Sequence, residues 1–265
     1  MGKTICFQGK NIAYQIRGNG PAIVLLHGFL ESKAIWDDFT DMLQSEFLVI
    51  AVDLPGHGQS ESLSEIHTMK LMAEAVKAVL LAENINQAVM VGHSMGGYVA
   101  LQFAAECENM LKGLVLFHSH AGADSAEAKE NRRRTIDIVM QNKTGFIRQF
   151  IPDLFDKRHL AEYSTPITKL QDMAALMSPE AIVAALAGMR DRESQLPCLS
   201  TLAIQVLFIA GKNDSRIPFE LILSQAVIPS HSELMLLDNV GHMGFIEAFR
   251  KTSKALLHFS IRCFD

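Results

Sequence analysis

Residues 88–105, AVMVGHSMGGYVALQFAA, decide the fold, because they pass from one type of secondary structure to another within a few residues. The stretch opens as a continuous apolar run, typical of a strand buried on both faces, and ends as an apolar helix. Between the two lie residues 92–97, GHSMGG, where the chain has to turn sharply. A single hydroxyl, that of Ser94, lies at this turn between glycines. Either the glycines only make a tight turn, or the turn holds Ser94 out for chemistry.

Apolar runs on both sides of this stretch continue the alternation of strand and helix. The predicted strands are PAIVLLHG, FLVIAVDLPG, AVMVGHS, GLVLFHSH, IQVLFIAGKND and ELMLLDNVGH. The predicted helices are SKAIWDDFTDML, about 64–83, 95–106, one near Glu220 and one that runs through Phe264. At the start of the chain, Ile12, Tyr14 and Ile16 alternate with other residues after a turn at 8–11, which predicts a hairpin. We therefore expect an α/β fold with a mostly parallel sheet and helices on both faces.

The segment 121–202 interrupts this alternation. It is rich in helix formers and methionine and contains no clear buried strand, so it predicts a helical cap inserted into an α/β core of residues 1–120 and 203–265. Its methionines and phenylalanines either line an adaptable apolar pocket or seat the cap on the core. These residues are Met140, Met173, Met177, Met189, Phe146, Phe150 and Phe155. Met177 is the one that we select as a substrate contact.

Composition and charge limit the possible partners and location. The chain has 265 residues, of which 49% are hydrophobic and 20% charged, and its net charge of −5 makes a phosphate-backbone partner unfavourable. The N-terminal residues lack a secretory signal, and no apolar run approaches the roughly 18–20 residues of a membrane helix. Four widely separated cysteines suit reduced thiols. We expect a cytoplasmic protein with no cofactor, metal, membrane or nucleic-acid partner, and its oligomeric state stays open.

Polar residues follow most of the predicted strands, at the edge of an open parallel sheet where ligands bind. They are residues 27–29 (HGF), Asp53, Ser94, residues 118–120 (HSH), Asp214 and His242. A nucleophilic serine has to be exposed and close to a base and to hydrogen-bond donors. Gly92 and Gly96 remove side chains that would block a sharp turn at Ser94. The Met95 amide falls at a helix N-terminus, which favours negative charge.

A serine hydroxyl needs a base, and that base needs an acid to orient it. His242 follows the last predicted strand, and Asp214 follows the strand before it, so both fall at the same sheet edge as Ser94. Asp238 is a rival acid, but it lies nearer the body of its own strand. These positions predict a Ser94–His242–Asp214 arrangement.

The order serine, aspartate, histidine resembles that of the α/β-hydrolase superfamily. HGF at 27–29, DLPGHGQS at 53–60, GHSMGG at 92–97, and the GKND and GH segments all look like motifs of that family. The resemblance covers nearly the whole chain and implies a carboxylesterase-like serine hydrolase with a nucleophile elbow at Ser94. It also implies that the backbone amides of Phe29 and Met95 form an oxyanion hole. Dehalogenases and epoxide hydrolases of this fold carry an aspartate at the nucleophile position, so Ser94 excludes them.

The pair His118 and His120 permits more than one interpretation. Residues two apart on a strand share a face, but two histidines without a third ligand do not make a metal site. Packing is one role, and a place in the pocket near Ser94 is another. On that second reading we select His120 as a substrate contact.

Three functions remain compatible with these residues. The first is hydrolysis of a small carboxylic ester or related acyl compound through an acyl-enzyme. The second is a carbon–carbon bond hydrolase or menaquinone-pathway-type lyase, which takes carboxylate substrates and would need an arginine such as Arg132, Arg148 or Arg190 facing Ser94. The third is a small-molecule receptor or signalling protein that retains the triad, which slow turnover would reveal.

Overall fold

Eight strands form one sheet in the computed structural model, which describes residues 2–265. The strands are β1 (Gly2–Phe7), β2 (Lys10–Arg17), β3 (Ala22–Leu26), β4 (Leu48–Val52), β5 (Ala88–His93), β6 (Leu111–Phe117), β7 (Gln205–Gly211) and β8 (Ser232–Leu237). Their order across the sheet is β1-β2-β4-β3-β5-β6-β7-β8. β2 pairs antiparallel with β1 and β4, and every other pair is parallel. The predicted mostly parallel α/β sheet is confirmed.

Ten helices accompany the sheet in the described part of the chain. They are α1 (Asp37–Leu43), α2 (Met69–Ala82), α3 (Met95–Cys107), α4 (Ala126–Phe150), α5 (Ser164–Ala175), α6 (Pro179–Arg190), α7 (Leu196–Thr201), α8 (Phe219–Ala226), α9 (Gly244–Glu247) and α10 (Phe249–Phe264). All residues of β3 and β5 are buried, as their continuous apolar sequences predict.

Two helix boundaries differ from the predicted ones. The helix predicted from about residue 64 begins at Met69, because Thr68 has an extended backbone and its hydroxyl accepts a hydrogen bond from the Leu71 amide. The helix predicted over SKAIWDDFTDML opens as a 3-10 turn, Lys33–Trp36, before α1 begins. The N-terminal hairpin has its turn at Gln8 and Gly9, as predicted.

The chain between β6 and β7 holds the four helices α4 to α7 and no strand in the described residues. α4 packs against α6, and α4 is broken at Asn142, where the backbone is not helical. The two ends of this segment are joined to each other. The Gln195 amide donates to the carbonyl of Ala121, and Arg192 pairs with Asp124 at 2.6 Å.

A helix that spans a bilayer needs both sufficient length and an apolar composition. No single helix within residues 2–265 meets both requirements. α5 and α6 meet them only when taken together, and this pair is bent by 100° at the break between them.

Candidate active site

Ser94 lies at a strained turn between β5 and α3. Its φ of 50° and ψ of −113° are unusual for a residue with a side chain, and its hydroxyl makes no capping hydrogen bond to the helix. The turn is possible only with glycines beside it. A Cβ on Gly92 would overlap the carbonyl of Gly96, and a Cβ on Gly96 would overlap the carbonyls of Leu26 and His27. The close approach of backbone to backbone therefore explains the glycines of GHSMGG.

Asp214 and His242 follow β7 and β8 and are bonded to each other. The Asp214 Oδ2 lies 2.8 Å from the His242 Nδ1, while the Asp214 Oδ1 accepts the amides of Arg216 and Ile217 at 2.8 and 3.0 Å. Burial alone would raise the pKa of Asp214, but His242 and His118 outweigh it and hold this pKa far below its usual range. The carboxylate is therefore ionised, and it fixes one nitrogen of the His242 ring.

His118 is a second imidazole on the same carboxylate oxygen. Its Nδ1 lies 2.9 Å from the Asp214 Oδ2, and its Nε2 is buried with no hydrogen-bond partner among the described residues. Burial lowers the pKa of His118 to about 4, so the ring is neutral and donates through Nδ1. The sequence left three roles open for His118, namely packing, a place in the pocket near Ser94 and metal binding, and it did not predict the hydrogen bond to Asp214. Its position directly after β6, at the same sheet edge as Asp214, was the one signal for this contact.

The cluster of His118, Asp214 and His242 also has the composition of a metal site, since its potential ligand atoms lie within 4.8 Å of one another. Both Nδ1 atoms are, however, already at hydrogen-bond distance from one carboxylate oxygen. Hydrogen bonds account for this geometry without an ion.

A buried ion pair between Glu31 and His93 contacts the backbone carbonyl of His242. The Glu31 Oε2 accepts the Gly28 amide at 2.5 Å and lies 3.0 Å from the His93 Nδ1, while the His93 Nε2 lies 3.0 Å from the carbonyl of His242. Burial would lower the pKa of His93, but the charge and hydrogen bond of Glu31 and the contact with His242 together raise it. A protonated His93 donates from both nitrogens. Nothing in the sequence pairs His93 with Glu31, so this contact could not be predicted.

The motifs around His27 and Asp53 hold the neighbouring loops. The His27 Nε2 accepts the Leu54 amide at 3.0 Å, and Asp53 forms an ion pair with Lys33 and accepts the Gln59 amide at 2.9 Å. Asp53 is completely buried. These residues keep the loop of residues 27–29 against the sheet edge.

Ser94, His242 and Phe29 line one cavity of about 320 Å³. Other parts of its wall come from the segment between β6 and β7, through Arg132, Phe150, Leu186 and Met189, and from Arg216 after β7. Met95 is the first residue of α3, and its side chain is fully buried. The structure therefore brings Ser94, Asp214, His242, Phe29 and Met95 to one edge of the sheet.

The two selected substrate contacts, His120 and Met177, lie outside this cavity, and their assignment is corrected. The His120 ring packs against Tyr98, and its Nδ1 accepts the Gly122 amide at 3.1 Å. Its Nε2 lies 3.3 Å from the Arg192 Nη2, and the ring borders a separate small crevice. Met177 directly precedes the Ser178 cap of α6, and it borders a different crevice.

Of the other residues singled out from the sequence, some line the cavity and others lie elsewhere. Of the methionines and phenylalanines singled out in the segment 121–202, Met189 and Phe150 line the cavity. Met140 is more than half exposed. Arg148 is exposed and Arg190 pairs with Asp191, whereas Arg132 lines the cavity. The rival acid Asp238 pairs with Lys212 at 2.7 Å on the surface.

Comparisons with known proteins agree with this geometry. A family model for the alpha/beta hydrolase fold matches residues 21–249. An uncharacterized protein of Mycobacterium tuberculosis is 37% identical over 108 residues, which span 41% of this chain and only 32% of that protein. The pimeloyl-[acyl-carrier protein] methyl ester esterase of Vibrio atlanticus is 26% identical over 256 residues, 88% of this chain and 92% of the esterase. A malate-bound thermophilic esterase from Thermogutta terrifontis superposes with a TM-score of 0.93 at 29% identity over 99% of both chains.

Proposed function

Because this chain belongs to the alpha/beta hydrolase fold family, we propose that it is a serine hydrolase that cleaves a small carboxylic ester through an acyl-enzyme on Ser94. One observation carries the proposal. The strained turn directs an uncapped Ser94 into the cavity that His242 also lines, and His242 is bonded to the ionised Asp214. The esterases among the similar proteins support the same reaction.

The proposed mechanism follows from these contacts. The Ser94 Oγ attacks the ester carbonyl, and the His242 Nε2 takes the hydroxyl proton while Asp214 holds the opposite side of the ring. The backbone amides of Phe29 and Met95 donate to the oxyanion, where the N-terminus of α3 also favours negative charge. His242 then gives its proton to the leaving alcohol. Water attacks the acyl carbonyl while His242 takes a proton from it, and that proton passes to the Ser94 Oγ as the bond to the acyl group breaks and the carboxylic acid leaves.

The size of the cavity favours a short or medium substrate. Its volume of about 320 Å³ lies at the lower end of the range for small-molecule sites, roughly 300–1,000 Å³. We propose that residues 121–202 act as a cap, because Phe150, Leu186 and Met189 from this segment form its apolar wall.

A fluorophosphonate probe tests the proposal together with a series of p-nitrophenyl esters. We expect one label per chain, on Ser94, and loss of both labelling and turnover in Ser94→Ala. Ser215→Ala is the matched control, because Ser215 lines the same cavity but its hydroxyl donates to the carbonyl of Asp153 at 2.5 Å. Labelling that survives in Ser94→Ala would contradict the assignment.

Carbon–carbon bond hydrolysis is the second candidate, and the position of Arg132 in the cavity favours it. A carboxylate-bearing diketone that is cleaved faster than any ester would support this reaction over ester hydrolysis. A receptor role would instead appear as one labelled Ser94 with a single turnover.

A further inference from the structure

Two guanidinium groups line the cavity that contains Ser94. Arg132 comes from α4, and Arg216 comes two residues after Asp214. The carbon atom at the centre of the Arg216 guanidinium lies 4.4 Å from the ring centre of Phe150, another residue of the cavity wall. Within residues 2–265, Arg216 forms no ion pair with a carboxylate. Its guanidinium therefore lines the cavity beside an aromatic ring, and no carboxylate in this range pairs with it.

The acidic groups near these two arginines already have partners of opposite charge. Asp124 forms ion pairs with both Arg132 and Arg192, so one carboxylate serves two guanidinium groups. The Nη1 of Arg132 reaches the sulfur of Met189 at 3.6 Å, on the side away from Asp124. Met189 lies in the wall of the cavity, so part of the Arg132 head is presented there.

The remaining carboxylates have partners as well. Asp153, which attracts Arg216 from a distance, pairs with Lys157 at 3.8 Å. Asp214 holds two imidazoles and two amides, and the charge of Glu31 is matched by the protonated His93. The cavity wall consequently carries an excess of positive charge. Arg216 is itself an exposed residue in the wall of this cavity, so a ligand that enters can reach its guanidinium.

From this arrangement we infer that the substrate is an ester carrying a second, ionised carboxylate, which Arg216 and Arg132 bind while Ser94 attacks the ester carbonyl. The inference rests on the proposed function and names its substrate class. A guanidinium matches the planar carboxylate and donates charge-assisted hydrogen bonds to it. The cavity volume of about 320 Å³ lies at the lower end of the range for small-molecule sites, roughly 300–1,000 Å³, so we choose test esters in which a few carbons separate the carboxylate from the ester.

Matched ester pairs test the inference. Monoethyl glutarate carries the anion on the acyl side, and ethyl 5-methylhexanoate replaces its carboxylate with an isopropyl group of the same shape. The pair 4-acetoxybutanoate and 4-methylpentyl acetate places the anion on the alcohol side. For at least one pair, we expect kcat/KM to be higher for the anionic ester. A neutral preference in both pairs would overturn the inference.

Variants of the two arginines test which residue is responsible for the preference for an anionic ester. In Arg216→Leu, which keeps an apolar contact with Phe150, the ratio of anionic to neutral kcat/KM should fall about 10- to 100-fold, the range for a hydrogen bond between charged groups. Arg132→Leu should lower the ratio in the same direction, and Arg216→Lys should retain part of it. Arg134→Leu is the control on the same helix, because Arg134 is exposed and pairs only with Glu130. Equal ratios in wild type, Arg216→Leu and Arg132→Leu would overturn the inference.

A binding measurement separates this inference from the proposed function. Calorimetric titration of glutarate into Ser94→Ala should show binding that weakens with salt and is lost in Ser94→Ala/Arg216→Leu. If glutarate binds in this way but wild type cleaves no ester, the anion site stands and the esterase proposal fails. If wild type cleaves esters but glutarate binding does not depend on Arg216, the anion site is refuted while the esterase proposal stands.

Discussion

Removal of the His118 donor tests how the shared carboxylate orients His242. The Asp214 Oδ2 accepts both imidazoles, at 2.9 Å from His118 and 2.8 Å from His242. His118→Leu deletes one of these hydrogen bonds, whereas His118→Asn offers an amide nitrogen at the position of the His118 Nδ1. Asn also tolerates the φ of 49° at this position. The two variants therefore separate loss of the donor from loss of the ring.

The expected magnitude follows from the chemistry of that hydrogen bond. A hydrogen bond to a charged group contributes about 1.5–3 kcal/mol, and we expect a comparable loss of Asp214 stabilisation in His118→Leu. A carboxylate relieved of one donor is less firmly oriented toward His242, so kcat/KM should fall about 10- to 100-fold. The same carboxylate is more basic, so the acidic limb of the pH profile should move to higher pH.

The assay is the pH dependence of p-nitrophenyl ester hydrolysis, with the labelled fraction of Ser94 used to count active chains. His118→Asn should remain within a few-fold of wild type at all pH values. If His118→Leu has the rate and pH profile of wild type, the second imidazole plays no part in orienting His242. If His118→Asn and His118→Leu lose activity equally, with unshifted profiles, His118 has only a packing role.

Three further outcomes follow from the packing and charges. Gly96→Ala should lower the free energy of unfolding by about 1–3 kcal/mol or more and abolish labelling of Ser94, because the new Cβ would overlap the carbonyl of Leu26. A variant that unfolds in urea with wild-type stability would contradict this overlap. Burial lowers the pKa of His67 to about 4, so the unfolded chain, with an ordinary pKa near 6.5, binds the proton first as pH falls. Urea titrations should therefore show stability declining between about pH 6.5 and 4, by about 2 kcal/mol at pH 5 from this residue, and His67→Gln should flatten that decline. Met189→Ala should shift the preferred acyl length because Met189 lines the cavity, whereas the control Met177→Ala should not; equal shifts would place the pocket elsewhere.

The sequence predicted the parts of this molecule that local patterns encode. Continuous apolar runs identify β3 and β5 as buried strands, and the glycines around Ser94 predict the sharp turn. The carboxyl ends of parallel strands meet at one edge of the sheet. The chain positions of Asp214 and His242 were therefore enough to predict that the two residues lie close together.

Contacts between distant loops could not be predicted in the same way. Glu31 and His93 are far apart in sequence, and only the folded sheet brings their side chains within 3.0 Å. The His120 ring contacts the Gly122 amide, Tyr98 and Arg192, and the periodicity of the sequence predicts none of these contacts. Met177 was selected by residue type alone, and the helix pattern around it does not reveal which crevice it borders.

The junction of Ala121 with Gln195 and of Asp124 with Arg192 has a consequence for how such a protein diversifies. The chain leaves β6 and returns to β7 through residues that bind each other. Residues 125–191 between these contacts therefore form a closed loop. Lengthening such a loop costs little in chain entropy, because the cost of closing it grows only with the logarithm of its length. We therefore expect that residues 125–191 can change in length and shape, and with them the wall of the cavity, provided that the carbonyl of Leu154 still accepts the His242 amide.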